Sequence, residues 1–232
     1  MHYRVEGQAA YVLHSRPYRD TSLLVDFFSL EWGRCTAVVK GARRPNARLR
    51  GTLQPFVPLQ IGWRGRQDLK TLSGAESVGQ MLFLTGNSLI CGLYVNELLE
   101  RVLPAFEPHP KLFVYYQYVL NALASSDDVE GALRTFERHL LLEMGYEMDL
   151  SQIHDGGHFR YQPGQGFIPL GRAPQKSDSR YFSAKQLQAI GEDHYACDDT
   201  RRAAKRLMRM ALEPLLGDKP LRSRDLFRKL KE

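Results

Sequence analysis

The hydrophobic pattern of the chain changes its period near Gly79, and this change divides the sequence into two parts. From Gln8 to Val78, short segments rich in β-branched and aromatic residues alternate with Gly and Pro, which is typical of strands. Beyond Gly79, apolar residues recur at helical spacing. The sequence therefore predicts an α+β chain, with an N-terminal barrel in residues 1–79 and an all-helical C-terminal domain in residues 80–232.

Five strands are predicted in the first part. They lie at Ala10–Leu13, Leu23–Phe28, Thr36–Lys40, Phe56–Trp63 and Lys70–Ala75. Five short strands are too few for an immunoglobulin-type sandwich and fit a small closed barrel. An OB-fold is the leading prediction and an SH3-like barrel is the alternative. In an OB-fold, a strand face and its loops form a groove for nucleic acid.

Helices are predicted on both sides of an irregular insertion at residues 146–182, which are rich in Gly, Pro, Asp and Gln. Before it, the predicted helices are Met81–Leu103, Leu112–Leu123 and Val129–Met144, with Gly145 as a left-handed stop. After it, Ser183 and Gln186 resemble a capping box. Asp199 or Thr200 is predicted to cap the next helix, and Ser223 to begin the last one.

Positive charge is concentrated in two regions of the chain. Gly33–Gly51 holds six Lys or Arg and no acidic residue, and residues 200–232 hold eleven Lys or Arg against four acidic residues. The residues between these regions carry a net charge of −6 and residues 1–32 carry −1, so the formal charge of the whole chain is only +6. Two basic regions that flank an acidic one fit a polyanionic partner better than a uniformly basic surface would.

Most of the charge in Gly33–Gly51 is predicted to lie on a loop, because Gly41, Pro45 and Asn46 interrupt regular structure after a strand. Guanidinium groups on such a loop can pair with the phosphates of nucleic acid. The alternative is a solvated turn that only keeps the protein soluble. With two arginines of the first loop, the candidate nucleic-acid-binding residues are Arg16, Arg19, Arg34, Lys40, Arg43, Arg44, Arg48 and Arg50.

Aromatic side chains near these cations offer a stacking surface for bases. They are Tyr11, Tyr18, Phe27, Trp32, Phe56 and Trp63. The alternative is that most of them fill the barrel core, as large apolar side chains generally do.

Two predicted helices combine an apolar face with a row of arginines. In Val129–Met144, Arg134 and Arg138 lie four residues apart beside the apolar face that contains Leu133, and the helix that begins near Thr200 repeats the arrangement. A groove with an apolar floor and a cationic rim fits a short acidic peptide with a terminal aromatic residue and carboxylate. The alternative is two amphipathic helices with solvated arginines. The candidate peptide-binding residues are Leu133, Arg134, Arg138, Arg201, Lys205 and Arg209.

The sequence carries no motif for catalysis, nucleotide binding or metal binding. Cys35, Cys91 and Cys197 are far apart, so neither a disulfide framework nor a CxxC zinc site is predicted. His154 and His158 have helical spacing but lie in a Gly-rich segment without cysteine. We therefore expect no cofactor, no metal site and no catalytic residue.

The distant, odd-numbered cysteines fit a reducing compartment. The N-terminus lacks a signal-peptide pattern, and no apolar stretch approaches the roughly 20 residues of a membrane span. We therefore expect a soluble cytoplasmic protein.

Several stretches together resemble the RecO family of bacterial DNA repair proteins, and in particular its gammaproteobacterial branch. They are VLHSRPYRDTSLLVDFFS, GRCTAVVKGARR, LRGTLQPFVPL, GLYVNELLERVL, ALRTFERHLLLEMGY and RAAKRLMRMALEPLLGDKPLRSRDLFR. They cover most of the chain from Ala10 to Arg228. KGAR, LQPF and the KPLRSR ending are together the most specific of these motifs.

The resemblance implies an OB-fold joined to a helical domain, in a recombination mediator that is not an enzyme. It also implies that the protein binds and anneals single- and double-stranded DNA, engages RecR, binds the acidic C-terminal tail of the single-strand binding protein SSB and helps to load RecA at the nucleoid. By motif, DNA contact falls on HSRPYR and KGARR. Tail capture falls on Arg134 of ALRTFE, with the RAAKR helix nearby.

The chain departs from the family at one place. Many RecO proteins carry a four-cysteine zinc module after the third helix, whereas Met148–Ile168 contains no cysteine here. We therefore expect no structural zinc, and His154 with His158 does not replace it. Taken from the residues alone, a metal-dependent nuclease guided by an OB domain and an RNA-binding module remain alternatives. Cleavage with Mg²⁺ would identify the first, and a preference for RNA the second.

Overall fold

The structure of the protein is a computed structural model that describes residues 4–47, 49–65, 69–125, 127–146, 148, 150, 153, 156–175 and 178–229. The chain forms two compact units. Unit one contains residues 1–127 and 220–232, and unit two contains residues 128–219. Among the helices in the described part of the chain, none is both long enough and apolar enough to cross a membrane.

Unit one is built around a closed barrel in which the strands follow the order β1-β2-β3-β5-β4. The strands are β1 (Arg4–Tyr18), β2 (Ser22–Ser29), β3 (Gly33–Val39), β4 (Leu59–Arg64) and β5 (Lys70–Ser77), and the short helix α1 (Leu49–Thr52) lies between β3 and β4. Strand β1 pairs with both β2 and β4, and only the β3–β5 pair is parallel. This is the predicted OB-fold.

Strand β1 reaches both neighbours because two irregularities bend it. Its register shifts between Val5 and Gln8 where it faces β4, and between Val12 and His14 where it faces β2. Bulges of this kind bend a strand and increase its twist. Alternate residues of the strands, including Val25 and Phe27, then fill the barrel interior.

Helices α2 (Gly86–Val102), α3 (Pro110–Ser125) and α7 (Arg222–Lys229) also belong to unit one. Asn96 of α2 donates its side-chain amide to the carbonyl oxygens of Val12 and Leu13 at the β1 bulge, and it accepts a hydrogen bond from the Tyr116 hydroxyl. These bonds satisfy carbonyl groups at the point where the bulge interrupts the ladder. The predicted helix starting at Ser223 is confirmed to within one residue.

Strand β3 is joined to the segment after α2 by backbone contacts. Arg34 accepts a hydrogen bond from the backbone N–H of Phe106 at 2.8 Å, and its Nε donates to the carbonyl oxygen of Leu103 at 2.8 Å. The preceding residue, Gly33, has φ +62, and a Cβ at this position would lie 1.7 Å from the carbonyl oxygen of Glu107. Only glycine allows this approach.

Unit two consists of α4 (Val129–Glu143), α5 (Ala184–Gly191), α6 (Asp198–Leu216) and a small sheet, and α4 packs against α6. Asp128 caps α4 by accepting the Gly131 N–H, and both hydrogen bonds of the predicted capping box between Ser183 and Gln186 are present. Helix α6 begins at Asp198 after Cys197, so the prediction of Asp199 or Thr200 as its cap was wrong.

The C-terminal region is not entirely helical, which corrects the sequence-based prediction. Strands β6 (His158–Gln162), β7 (Gly166–Leu170) and β8 (Tyr181–Ser183) form a sheet in the order β7-β6-β8, within the segment predicted to be irregular. Phe159 and Tyr161 alternate on the buried face of β6. The Gly- and Gln-rich composition that indicated a loop belongs instead to the tight turn between β6 and β7.

Candidate functional site

A cationic cleft of about 380 Å³ lies on the barrel between the β1–β2 turn and the loop after β3. Its lining residues are Tyr18, Arg19, Thr21, Ser22, Val38, Lys40, Gly41 and Arg44. Three of them are cationic and exposed, and none is acidic. A cleft that combines positive charge with one aromatic ring has the chemistry to hold the backbone of a nucleic acid.

Arg43 joins the two loops that form this cleft. Its Nη1 donates to the carbonyl oxygens of Arg19 at 3.2 Å and Asp20 at 3.3 Å, and its backbone N–H donates to Thr21 at 2.9 Å. Arg19 is in the left-handed region with φ 50, and its guanidinium lies 5.2 Å from the ring centroid of Tyr18. Arg43 thus holds the loops together, while Arg19, Lys40 and Arg44 present charge.

The remaining predicted nucleic-acid contacts lie in different environments. Arg16 is half-exposed, and its Nη1 is 2.9 Å from Oδ2 of Asp26. Arg34 is partly buried and bonded through Nε to the Leu103 carbonyl, which gives it a structural contact. Arg48 and the side chain of Arg50 lie outside the described residues.

The structure separates the candidate stacking aromatics into two groups. Tyr11, Phe27, Phe56 and Trp63 are buried, and Trp32 packs edge-on against Trp63 with ring centroids 6.0 Å apart. Tyr18 lines the cleft. Phe27 and Trp63 belong to the barrel core and Trp32 packs against it, whereas Tyr11 is buried against Phe113 and Tyr116 of α3. The interpretation that these rings fill the barrel core is therefore confirmed for Phe27 and Trp63.

In unit two, the predicted peptide-binding residues begin with a buried pair on α4. Leu133 belongs to the core, and the Arg134 side chain is only 9% exposed. Nη1 of Arg134 lies 2.9 Å from Oε2 of the fully buried Glu137, whereas its Nε has no hydrogen-bond partner among the described residues. A buried donor without an acceptor is costly, so this guanidinium retains capacity for another acceptor.

Arg138 takes part in a polar network with the segment after α5. Its guanidinium contacts both oxygens of Asp193, which also accepts the Tyr195 hydroxyl at 3.1 Å. Burial alone would raise the pKa of Asp193, but hydrogen bonds from His139 and Arg138 and the positive charge of Arg138 hold it well below its usual range. Burial, reinforced by the Asp193 charge, raises the pKa of Tyr195.

The three α6 cations predicted to bind the peptide differ in exposure and in partners. Nη2 of Arg201 lies 3.0 Å from Oδ1 of Asp128, and Nζ of Lys205 lies 3.6 Å from Oε1 of Glu130. Arg209 is exposed. Two of the cations predicted to bind an acidic ligand therefore already form ion pairs with acidic residues at the start of α4.

One cluster of chemically active side chains was missed in the sequence. His14, Asp26 and Glu100 bring one imidazole and two carboxylates within 4.8 Å of one another. They come from β1, β2 and α2, so no spacing rule connects them. The available signal was an Asp inside the apolar run LLVDFFS, because a carboxylate in a strand of this kind is buried and needs partners. His158, by contrast, bonds to the Tyr181 hydroxyl at 2.9 Å, and His154 lies outside the described residues.

Comparison with known proteins agrees with this architecture. Residues 1–81 match the family described as Recombination protein O N terminal, and residues 84–225 match Recombination protein O C terminal. The DNA repair protein RecO of Yersinia enterocolitica is 45% identical over 97% of this chain and 95% of its own length. That of Yersinia pestis strain Pestoides F is 45% identical over 95% and 93%. Because the matches extend over both units at this identity, the chain belongs to the RecO family of DNA repair proteins.

Proposed function

We propose that this protein acts in DNA repair as a recombination mediator without enzymatic activity of its own. It binds single- and double-stranded DNA through the barrel, anneals complementary strands and binds the acidic C-terminal tail of SSB through unit two. Together with RecR it promotes the loading of RecA on SSB-coated single strands in the cytoplasm, at the nucleoid. Family membership supports the general role, and the cationic cleft is the observation that carries the DNA contact.

The barrel cleft supports DNA binding through its charge and its fixed shape. Arg19, Lys40 and Arg44 line it, and Arg43 holds its two loops by three hydrogen bonds. Cations carried on loops that are already held together lose less backbone freedom when they contact phosphates than cations on freely moving loops would. Neutralising the phosphates of two strands at such a surface lowers their mutual repulsion, which favours annealing.

Replacing Arg19, Lys40 and Arg44 by alanine together is expected to weaken single-stranded DNA binding by about one to two orders of magnitude near 0.1 M salt. Each lost phosphate contact also lowers the slope of log K against log salt by about 0.7, so the slope should fall by about 2. Fluorescence anisotropy of a labelled oligonucleotide over a salt series measures both quantities.

The control for this triple variant removes the same charge elsewhere. Arg172, Arg180 and Lys185 are exposed cations of unit two, and their replacement by alanine should change DNA affinity much less. Equal losses in the two triple variants would show that net charge, and not the cleft, determines binding. A triple cleft variant with unchanged affinity would move the DNA contact to another surface.

The cations of α4 and α6 support binding of the SSB tail. Among the described residues, Nε of Arg134 has no hydrogen-bond partner, and Arg201, on the helix that packs against α4, has a partly exposed ion pair to Asp128. An incoming carboxylate can satisfy the first and compete for the second. The acidic residues of unit two therefore act as internal competitors of the ligand.

Asp128→Asn is expected to strengthen binding of an SSB tail peptide about two- to fivefold, because it frees Arg201 from an exposed ion pair of modest energy. Asparagine retains the capping oxygen and tolerates the left-handed conformation of Asp128, which has φ 34. Arg134→Ala should abolish measurable binding. Anisotropy of the labelled peptide gives both affinities, and Arg172→Ala serves as the charge control.

Two results would contradict the proposed binding of the SSB tail at α4 and α6. Loss of affinity in Asp128→Asn would mean that Asp128 supports the site and does not compete for it. Since Arg134→Ala removes one ion-pair partner of the buried Glu137, thermal unfolding must show that this variant is folded. Peptide binding retained by a folded Arg134→Ala protein would place tail capture elsewhere.

The mediator role itself is tested by RecA loading. On SSB-coated single strands, the protein with RecR should shorten the lag before RecA filaments form, and the triple cleft variant should do so less. Acceleration by RecR alone would contradict the proposal.

A further inference from the structure

His14, Asp26 and Glu100 meet on the outer face of the barrel, and the fold explains why. Val25 and Phe27 of β2 point into the barrel core, so Asp26 between them points outward. His14 and Asp26 are directly opposite each other in the β1–β2 register, which places both on the same face. The bulge between Val12 and His14 creates this alignment.

Helix α2 is fixed so that Glu100 covers this face. Asn96 binds the carbonyl oxygens of Val12 and Leu13 at 3.3 and 3.1 Å, and Glu100 follows one turn later on the same side of the helix. Beyond Glu100, the Leu103 carbonyl accepts a hydrogen bond from Arg34. The helix is thus held to the barrel on both sides of Glu100, whose Oε1 lies 3.8 Å from Nδ1 of His14.

The polar groups of this cluster are not fully satisfied by one another. Nδ1 of His14 is buried and has no hydrogen-bond partner among the described residues, because 3.8 Å is too long for a hydrogen bond. The Asp26 side chain is only 3% exposed and accepts hydrogen bonds from Thr36 at 2.5 Å and Arg16 at 2.9 Å. The cluster therefore combines two carboxylates with an imidazole nitrogen that has no hydrogen-bond partner among the described residues, and the Arg16 guanidinium contacts one of the carboxylates.

We propose that His14, Asp26 and Glu100 bind one divalent transition-metal ion. Imidazole nitrogen and carboxylate oxygen together suit first-row ions such as Zn²⁺ and Co²⁺. Thr36 then orients the Asp26 carboxylate from the side opposite the ion, as partners of metal ligands commonly do. The ion competes with Arg16 for Asp26, and Arg16 is half-exposed, so its guanidinium can turn into solvent.

The competition with Arg16 makes the site testable in two directions. His14→Gln removes a ligand and should weaken metal binding at least about tenfold. Arg16→Gln removes the competing cation and should strengthen it about two- to fivefold. Adventitious binding to surface groups predicts neither change.

The experiment titrates CoCl₂ into metal-free full-length protein and follows the visible spectrum and the heat of binding. It uses a Cys197→Ser background, because Cys197 is exposed and backbone N–H groups of Thr200 and Asp199 lower the pKa of its thiol, which favours metal binding there. One equivalent of Co²⁺ with oxygen and nitrogen ligands is the expected result. His158→Gln is the matched control and should bind like the parent protein.

Three results would overturn the proposal. They are the absence of stoichiometric Co²⁺ binding by the parent protein, equal affinity in a folded His14→Gln variant, and unchanged or weaker affinity in Arg16→Gln. Thermal unfolding of each metal-free variant shows whether it is folded.

Discussion

Replacing Gly33 with alanine is expected to lower the free energy of unfolding of unit one by about 4 kcal/mol or more, beyond the usual range for a point substitution. Two costs add at this position. The residue has φ +62, where a Cβ costs roughly 1–2 kcal/mol, and the Cβ would lie 1.7 Å from the backbone oxygen of Glu107. A backbone atom cannot move aside as a flexible side chain can, so β3 must separate from the Glu107 segment. Urea unfolding followed by tryptophan fluorescence measures the change.

Gly41→Ala separates these two costs. Gly41 has φ +70, but the nearest atoms to its Cβ position belong to the flexible Arg44 side chain at 3.7 Å. Gly41→Ala should therefore lower the free energy of unfolding only by the cost of placing a Cβ at positive φ, about 1–2 kcal/mol. Equal losses for Gly33→Ala and Gly41→Ala would show that the contact with Glu107 yields at little cost.

The barrel and most helices could be predicted because their signals are local. Strand residues such as Val25 and Phe27 alternate with outward-facing ones, and the helix that starts at Val129 has its cap at Asp128 and its left-handed stop at Gly145. Each signal needs only a few neighbouring residues. The β6–β7 hairpin was not predicted, because its strands have only five residues each. The Gly- and Gln-rich turn also outweighed the alternation of Phe159 and Tyr161 as a signal.

Partners of charged side chains could not be predicted, since they depend on contacts between distant parts of the chain. Arg34 was assigned to DNA with the other arginines of its segment, yet its Nε binds the carbonyl of Leu103, 69 residues away. Arg138 and Asp193 are 55 residues apart. For the same reason, the sequence predicts that Arg201 and Lys205 are available to a ligand, whereas in the structure they lie beside Asp128 and Glu130.

The ion pairs of the arginines in unit two affect which kind of ligand this unit can bind. Solvated arginines would bind any polyanion weakly, and salt would screen them. Arg138 and Arg201 are instead held by carboxylates, so a ligand gains affinity only if its own carboxylates replace these contacts with good geometry. We therefore expect unit two to prefer a peptide with a defined arrangement of acids over a nucleic-acid backbone.

Asp193→Asn is expected to destabilise unit two by about 2–3 kcal/mol at pH 7, because it removes the negative charge that accepts two hydrogen bonds from the partly buried Arg138 guanidinium. Asp193 has φ 54, which asparagine tolerates, so the substitution adds little backbone strain. Hydrogen exchange of α4 and α6 amides locates the loss in unit two. Glu192→Gln, at the adjacent exposed position, removes the same charge and should have a much smaller effect.

The effect of Asp193→Asn on stability should depend on pH in one direction. The pKa of Asp193 lies well below its usual range in the folded protein, and it is about 3.9 in an unfolded chain. A lowered folded-state pKa contributes stability that is fully present above the unfolded-state pKa and is lost as the pH falls through the folded-state pKa. The difference in unfolding free energy between parent and Asp193→Asn should thus shrink as the pH falls below about 4. A difference that persisted undiminished in strong acid would mean that the Asp193 charge does not stabilise the network with Arg138 and Tyr195.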